Sequence, residues 1–131
     1  MSGYATYKTI GNTENENENE NLQQNLVIEI NSAEDRINAC KNYPAVIIDY
    51  YTNWCIPCKR AIIPYRKLAE KYKESGILFM KEDAEKDFTN RPNVSAVPSF
   101  HFYLNGKLQE ELTCSGGNMD DIEINIQKLK K

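Results

Sequence analysis

The sequence predicts an α/β fold in which a central mixed sheet is flanked by helices on both faces. Segments with a strand pattern alternate with helical segments from Leu26 onward, and this alternation favours a largely parallel sheet covered by helices. The segment Ala45–Tyr51 (AVIIDYY) is rich in apolar, β-branched and aromatic residues, which is typical of a strand buried on both faces. Near the C-terminus Asn105-Gly106 predicts a hairpin, which adds antiparallel strands.

Two pairs of strand and helix account for the first part of the fold. Leu26–Ile30 is a short predicted strand, and Ser32 can cap a helix over about Ala33–Lys41. After the strand Ala45–Tyr51, a long helix is predicted over about Ile56–Glu74. This helix is followed by Gly76, which can adopt the left-handed conformation of a C-cap.

The second part of the fold closes the sheet. Ile77–Lys81 is a predicted strand, and Ala84–Thr89 is a short helical or irregular link. Phe100–Leu104 and Lys107–Leu112 are the two predicted strands of the hairpin. A final helix over about Asn118–Lys130 is predicted from apolar residues that recur at helical spacing.

The first 25 residues differ in composition from the rest of the 131-residue chain. Residues 11–25 form an Asn/Glu-rich tract with almost no apolar side chains, so we predict a disordered tail over residues 1–25. A solvated tail is favoured over an interaction segment. Residues 26–131 are predicted to form one folded domain, in which 15 basic and 15 acidic residues balance. A neutral domain gives no reason to expect nucleic acid as a partner.

The chain shows no sign of export or of a membrane span. It has no apolar N-terminal segment, and its apolar runs are only a few residues long, far below the length of a membrane-spanning helix. Four cysteines in such a chain argue against a secreted disulfide scaffold. We therefore expect a cytoplasmic protein without a membrane partner.

The most informative motif is Trp54-Cys55-Ile56-Pro57-Cys58, a pair of cysteines two residues apart. It lies where a predicted strand passes into a predicted helix. Helical N–H groups and the helix dipole would favour a thiolate at Cys55. The motif therefore predicts a reactive dithiol that can close into a disulfide.

Two other interpretations of the cysteines are weaker. A zinc site needs four ligands, and the remaining candidates, Cys40, Cys114 and His101, are not paired at short spacing. Cys40 and Cys114 are most simply small apolar packing residues, with a secondary redox switch or an intermolecular disulfide as the alternative.

Over residues 26–131 the chain resembles the thioredoxin family. Five features match in order: Asp49 six residues before Cys55, Trp54 before the first cysteine, Lys81 in the next strand, Val97-Pro98 before the following strand, and Gly116 in the turn before the last helix. The chain departs from the family at Ile56, where most members have glycine. The resemblance implies a thioredoxin fold and a protein disulfide reductase that cycles a Cys55–Cys58 dithiol.

The family mechanism assigns roles to four residues. Cys55 is the expected nucleophile, partly exposed, which forms a mixed disulfide with the client, and Cys58, expected to be more buried, resolves it. From the residues alone, Asp49 would be an exposed strand-edge or turn residue. The resemblance instead implies a buried general base for Cys58, with Lys81 as its counter-charge.

Other residues are expected to bind the client. Trp54 is either part of the core or an apolar shelf beside the sulfur, and its position favours the shelf. The resemblance implies a cis bond between Val97 and Pro98, which would turn the Val97 backbone towards Cys55 and let it pair with an extended segment. The full set of expected client-binding residues is Trp54, Ile56, Pro57, Val97, Pro98 and Gly116.

The resemblance also implies partners. No bound cofactor is expected, because the dithiol carries the electrons, which would come from NADPH through a flavoprotein thioredoxin reductase. Clients would include disulfide-bearing proteins such as peroxiredoxins, and we expect a monomer. The alternatives are a disulfide isomerase or oxidant, and a thioredoxin-like binding module with little redox role.

Overall fold

The computed structural model describes residues 26–86, 88 and 91–130, so the predicted tail lies outside the described residues. The elements, in chain order, are β1 (Val27–Glu29), α1 (Ala33–Asn42), β2 (Ala45–Tyr51), α2 (Ile56–Lys71), β3 (Ile77–Asp83), β4 (Ser99–Leu104), β5 (Lys107–Leu108), a 3-10 helix (Glu110–Leu112), β6 (Cys114–Ser115) and α3 (Met119–Leu129).

The strands form one mixed sheet in the order β1-β3-β2-β4-β5, and β6 pairs with β4. The strands β1, β3 and β2 run parallel, whereas β4 is antiparallel to β2, β5 and β6. This arrangement confirms the predicted mixed sheet. The register brings Glu29 opposite Lys81 and Lys81 opposite Asp49, so one row of the sheet crosses three strands with charged residues.

Helices cover both faces of the sheet, as predicted. On one face α2 and α3 pack against side chains such as Ile47, Phe79 and Phe102. On the other face α1 contributes Ala39 to a smaller apolar cluster with Ile48. Because side chains alternate along a strand, odd-numbered residues of β2 and β3 face α2 and even-numbered residues face α1.

The start of α1 agrees with the predicted cap at Ser32, and the other two helices also begin at capping side chains. The hydroxyl of Ser32 accepts a hydrogen bond from the Asp35 N–H at 3.2 Å and caps α1. The N-cap of α2 is Cys55, and the side chain of Asn118 accepts from two N–H groups at the start of α3. These caps satisfy N–H groups that have no partner within their own helix.

The strand β3 extends two residues beyond its predicted end at Lys81 and finishes at Asp83. Glu82 and Asp83 have the composition of a loop, but they pair with Tyr50 and Tyr51 of β2. After β3, residues 84–86 form a turn rather than a helix. The predicted helical alternative for Ala84–Thr89 is therefore wrong for these described residues.

The hairpin differs from its prediction after Leu108. Asn105 and Gly106 both have positive φ, as a tight hairpin turn requires. The strand after the turn is only Lys107–Leu108, however, and the predicted remainder up to Leu112 is a 3-10 helix. The chain then returns to the sheet as β6, which was not predicted.

None of the helices in the described part of the chain is long and apolar enough to cross a membrane.

Candidate active site

Cys55 and Cys58 are joined by a disulfide at the start of α2. Their Cα atoms lie 5.2 Å apart, which is a usual separation for a disulfide. The Cys58 N–H donates to Cys55 Sγ at 3.1 Å, so an N–H group of the first helical turn points at this sulfur. The same N–H group would stabilise a thiolate at Cys55 after reduction.

The expected difference in burial between the two cysteines is absent. Cys55 is 4% exposed and Cys58 is 3% exposed, so the prediction of a partly exposed Cys55 is wrong for the oxidised state. The loop before β4 lies against Cys55, and the Val97 carbonyl oxygen is 3.8 Å from Cys55 Sγ. What distinguishes the two residues is access, because Cys55 lines a surface groove and Cys58 is not among the groove residues.

This groove has a volume of about 650 Å³ and opens beside the disulfide. Its wall is formed by Thr52, Trp54, Cys55, Ile56, Pro57, Ala84, Val94, Ser95, Ala96 and Val97. Trp54 is 65% exposed, which excludes the core interpretation and agrees with an apolar shelf. The Trp54 indole N–H donates to Glu85 Oε2 at 2.5 Å, and this bond fixes the ring at the groove edge.

The second wall of the groove is the loop before β4. The Val97–Pro98 peptide bond is cis, as the resemblance implied. The Pro98 carbonyl accepts a hydrogen bond from the Gly116 N–H at 2.7 Å, next to the pairing of β4 with β6. Gly116 has a φ of 91°, a conformation that favours glycine. The structure therefore joins Gly116 to Pro98 by a hydrogen bond, and Val97 of the same loop contacts Cys55.

Asp49 lies on β2, in the middle of the sheet, and has the parity of the residues that face α2. It is 4% exposed, and its Oδ1 atom has no hydrogen-bond partner among the described residues. Burial raises its pKa to about 7, since loss of water disfavours the charged carboxylate; the positive charge of Lys81 opposes this shift and the negative charge of Glu29 adds to it. A carboxyl group with this pKa exchanges a proton readily near neutral pH.

Lys81 lies next to Asp49 in the sheet but forms its ion pair with Glu29. The distance from Lys81 Nζ to Glu29 Oε1 is 3.7 Å, and the Tyr51 hydroxyl donates to Glu29 Oε2 at 2.8 Å. No ion pair joins Lys81 to Asp49 in the described part of the chain. Lys81, the predicted counter-charge of Asp49, is therefore shared with Glu29, which was not among the predicted site residues.

A small cavity lies against Asp49 on the face of the sheet that α2 covers. Its volume is about 30 Å³, and it is lined by Val27, Asp49, Ile62, Tyr65, Arg66 and Lys81. A cavity of this size whose wall includes the polar side chains of Asp49, Arg66 and Lys81 can hold a water molecule. Water in this cavity would exchange a proton between the carboxyl group and solvent.

Sequence reasoning missed three residues of the site. Glu29 shares parity with Val27 on β1, which is the signal that could have placed it on the α2 face. Thr52 is buried in the groove wall, and its hydroxyl has no partner among the described residues. Glu85 carried no signal, because its contact with Trp54 depends on the turn after β3.

The other two cysteines lie away from the disulfide. Both are half-buried and free, and burial raises the pKa of both thiols, that of Cys40 to about 11. A thiol with so high a pKa is a poor nucleophile at neutral pH. The residues that the structure describes contain no group of three or more side chains arranged to hold a metal ion.

The sequence of the chain is similar to those of known proteins with a cysteine-pair redox site. The family model described as Thioredoxin matches residues 26–128. A thioredoxin of Coprinus comatus is 33% identical over 106 residues, which cover 78% of this chain and 97% of the relative.

Solved structures of similar proteins give the same result. Mitochondrial thioredoxin 3 of Saccharomyces cerevisiae, in its oxidised form, has a TM-score of 0.73 at 26% identity, covering 82% of this chain and 99% of the other. A second solved chain has a TM-score of 0.69 at 26% identity, and the match covers 79% of this chain and 95% of the other. It comes from a study of the thiol resolving mechanism in yeast mitochondrial 1-Cys peroxiredoxin via glutathione/thioredoxin systems. Together with the Cys55–Cys58 disulfide, these matches establish that the chain belongs to the thioredoxin family of thiol-disulfide oxidoreductases, which carry electrons on a cysteine pair without a bound cofactor.

Proposed function

We propose that the chain reduces disulfide bonds of client proteins, with Cys55 as nucleophile, Cys58 as resolving thiol and Asp49 as general base. The observation that carries this proposal is the position of the disulfide. It lies at a helix start, with Cys55 on the groove and an N–H group directed at its sulfur.

The reaction has two exchange steps. The Cys55 thiolate attacks one sulfur of the client disulfide; a Cys55–client bond forms, the client bond breaks, and the other client sulfur leaves as a thiolate that water protonates. The Cys58 thiol then loses its proton, and its thiolate attacks Cys55 Sγ. The Cys55–Cys58 bond forms as the client leaves with its second thiolate. Two electrons have passed from the dithiol to the client.

Asp49 accepts the proton of Cys58 in the second step. A carboxyl group with a pKa of about 7 is ionised often enough to accept a proton and basic enough to hold it. Lys81 supplies positive charge near the carboxylate, and water in the adjoining cavity returns the proton to solvent.

The client binds across the groove. Trp54, Ile56 and Pro57 offer an exposed apolar surface on one side. On the other side, the backbone of Val97 pairs with an extended client segment, and Pro98 and Gly116 shape the loop that presents it.

The partners proposed here are those that the resemblance to the thioredoxin family implies. The electrons come from NADPH through a flavoprotein thioredoxin reductase, and the clients include peroxiredoxins, in keeping with the similar chain from the peroxiredoxin study. We propose a cytoplasmic monomer.

A trapping experiment tests this assignment. A Cys58→Ser variant can form the mixed disulfide but cannot resolve it, so covalent client complexes should accumulate. Insulin serves as the model client, and non-reducing electrophoresis with mass spectrometry identifies the linked cysteine. Adducts are expected on Cys55.

The matched control is Cys55→Ser, which should trap no client. Equal trapping by the two variants would contradict the assignment of the nucleophile. Absence of insulin reduction by the wild-type chain would contradict the reductase and favour a binding module. The midpoint potential separates the isomerase alternative, since a thioredoxin-type reductant lies near about −270 mV and protein disulfide isomerase near about −180 mV.

A further inference from the structure

Three charged side chains form a row across the parallel part of the sheet. Glu29 on β1 is the register partner of Lys81 on β3, and Lys81 is in turn the register partner of Asp49 on β2. All three have the parity of the residues that face α2. Lys81 therefore lies between two carboxylates and can approach either.

The contacts show which carboxylate holds Lys81. Its ammonium group lies 3.7 Å from Glu29 Oε1, and Glu29 is fixed in turn by the Tyr51 hydroxyl at 2.8 Å. The Lys81 ammonium also lies 5.7 Å from the centre of the Tyr51 ring, a distance at which cation–π attraction operates. Glu29 and Tyr51 thus bind the ammonium group of Lys81 on the β1 side of the row.

Among the described residues, no other group forms an ion pair with Asp49 in place of Lys81. The Tyr65 hydroxyl donates to the backbone carbonyl of Met80 at 2.9 Å, and Arg66 reaches the cavity wall from α2. The partner of Asp49 on β4 is Phe100, which has no charge. The carboxyl group keeps an oxygen without a hydrogen-bond partner among the described residues.

We propose that Glu29 is a positioning residue of the resolving step, which holds the Lys81 ammonium on the β1 side of the row so that the Asp49 carboxylate stays free to accept the proton of Cys58. This inference rests on the proposed role of Asp49 as general base.

Removal of the Glu29 charge changes two interactions of Asp49. The ammonium group of Lys81 is no longer held at Glu29 and turns to Asp49, whose carboxylate it stabilises. The negative charge of Glu29, which raises the pKa of Asp49, is also lost. Both changes lower the pKa of Asp49, so it ionises at lower pH and becomes a weaker base.

The test is a Glu29→Gln variant, which keeps the side-chain shape and an acceptor for Tyr51. One readout is the pH dependence of resolution, measured in single turnover from a mixed disulfide formed with a small aromatic disulfide. The other is the titration of the Asp49 carboxyl carbon by NMR in the oxidised protein. Both midpoints should move to lower pH by about one unit, the shift expected when an opposite charge approaches a carboxylate.

Two controls isolate the role of Glu29. Glu34→Gln removes the same charge from an exposed position on α1, on the other face of the sheet, and should leave both midpoints in place. In a Lys81→Met background the Glu29→Gln shift should shrink, because the ammonium group through which Glu29 acts is gone.

The outcomes separate this inference from the proposed base. Unchanged midpoints in Glu29→Gln, with loss of the pH profile in Asp49→Asn, would overturn the role of Glu29 and leave Asp49 as base. A shift that persists in full without Lys81 would overturn the positioning role in favour of direct charge repulsion. An unaltered pH profile in Asp49→Asn would overturn the base and this inference with it.

Discussion

Two carboxyl groups are buried on adjacent strands of the same sheet, and the protein surrounds them differently. Asp49 on β2 is 4% exposed, with an oxygen that has no partner among the described residues. Glu82 on β3 is 0% exposed, and it accepts from Arg36 Nε at 2.9 Å, from Arg36 Nη2 at 3.2 Å and from Arg91 at 3.3 Å. Burial alone therefore does not determine what a carboxyl group does.

The difference follows from the two faces of the sheet. Glu82 faces α1, which supplies Arg36, and Arg91 reaches the same carboxylate from the loop after β3. Arg91 also donates to the backbone carbonyls of Ala84 and Lys86. Through Arg91, Glu82 therefore helps to hold the segment after β3, which includes Ala84 of the groove wall. Asp49 faces α2, and the positive charge that acts on it, Lys81, forms its ion pair with Glu29. One carboxylate is fixed by two guanidinium groups, whereas the other is left to exchange a proton.

The largest effect should come from breaking the fixed cluster. Glu82→Gln leaves buried guanidinium charge without its counter-ion, and such changes cost about 3–5 kcal/mol. The free energy of unfolding, measured by urea denaturation, should fall by this amount. Glu110→Gln removes an exposed carboxylate and should change it by less than about 0.5 kcal/mol. Equal losses in the two variants would contradict the structural role of Glu82.

Asp49→Asn should instead stabilise the protein at high pH. The carboxyl group ionises near about 4 in the unfolded chain, but near about 7 in the fold. Between these values the folded state keeps a proton that the unfolded state releases, so the stability of the wild type falls as pH rises and levels off above about 7. Above that pH the variant should be more stable by at most about 4 kcal/mol, at about 1.4 kcal/mol for each pKa unit.

The measurement is urea denaturation of both proteins at a series of pH values. The difference between them should grow through the window from about pH 4 to about pH 7. A difference that does not vary with pH would show that Asp49 has the same pKa in the folded and unfolded states. Activity of the variant should fall at the same time, because the proposed base is lost.

The smallest effect should come from an exposed carboxylate. Glu85→Ala removes the hydrogen bond to the Trp54 indole. A typical intramolecular hydrogen bond contributes about 0.5–1.5 kcal/mol, and this one is exposed to water, so its contribution lies in the lower part of that range. Stability should fall by no more than about 1 kcal/mol, while the fluorescence anisotropy of Trp54, the one tryptophan in the chain, should decrease. An unchanged anisotropy would contradict the claim that Glu85 holds the indole ring.

Much of the fold could be predicted because local signals and apolar patterns agree. Short stretches of sequence are enough to predict the cap at Ser32, the buried strand Ala45–Tyr51 and the turn at Asn105-Gly106. The motif around Cys55 placed the dithiol at a strand-to-helix junction, and the structure has it there.

What could not be predicted depends on contacts between distant residues. Glu82 belongs to a strand because Arg36, 46 positions earlier, neutralises it, and no local pattern reports such a pair. The same holds for Glu29, whose contact with Lys81 needs the order β1-β3-β2 of the sheet. Burial of Cys55 in the oxidised state depends on the loop before β4, which is 42 residues away along the chain.

We propose that Asp49 is a buried carboxyl group that exchanges a proton near neutral pH. An NMR titration of its carboxyl carbon in the oxidised wild-type protein tests this claim most directly. We predict a midpoint near about 7, well above the ordinary value of an aspartate, which is about 3.9. A midpoint of about 4 would contradict this role, because Asp49 would then be too weak a base to take the proton of Cys58.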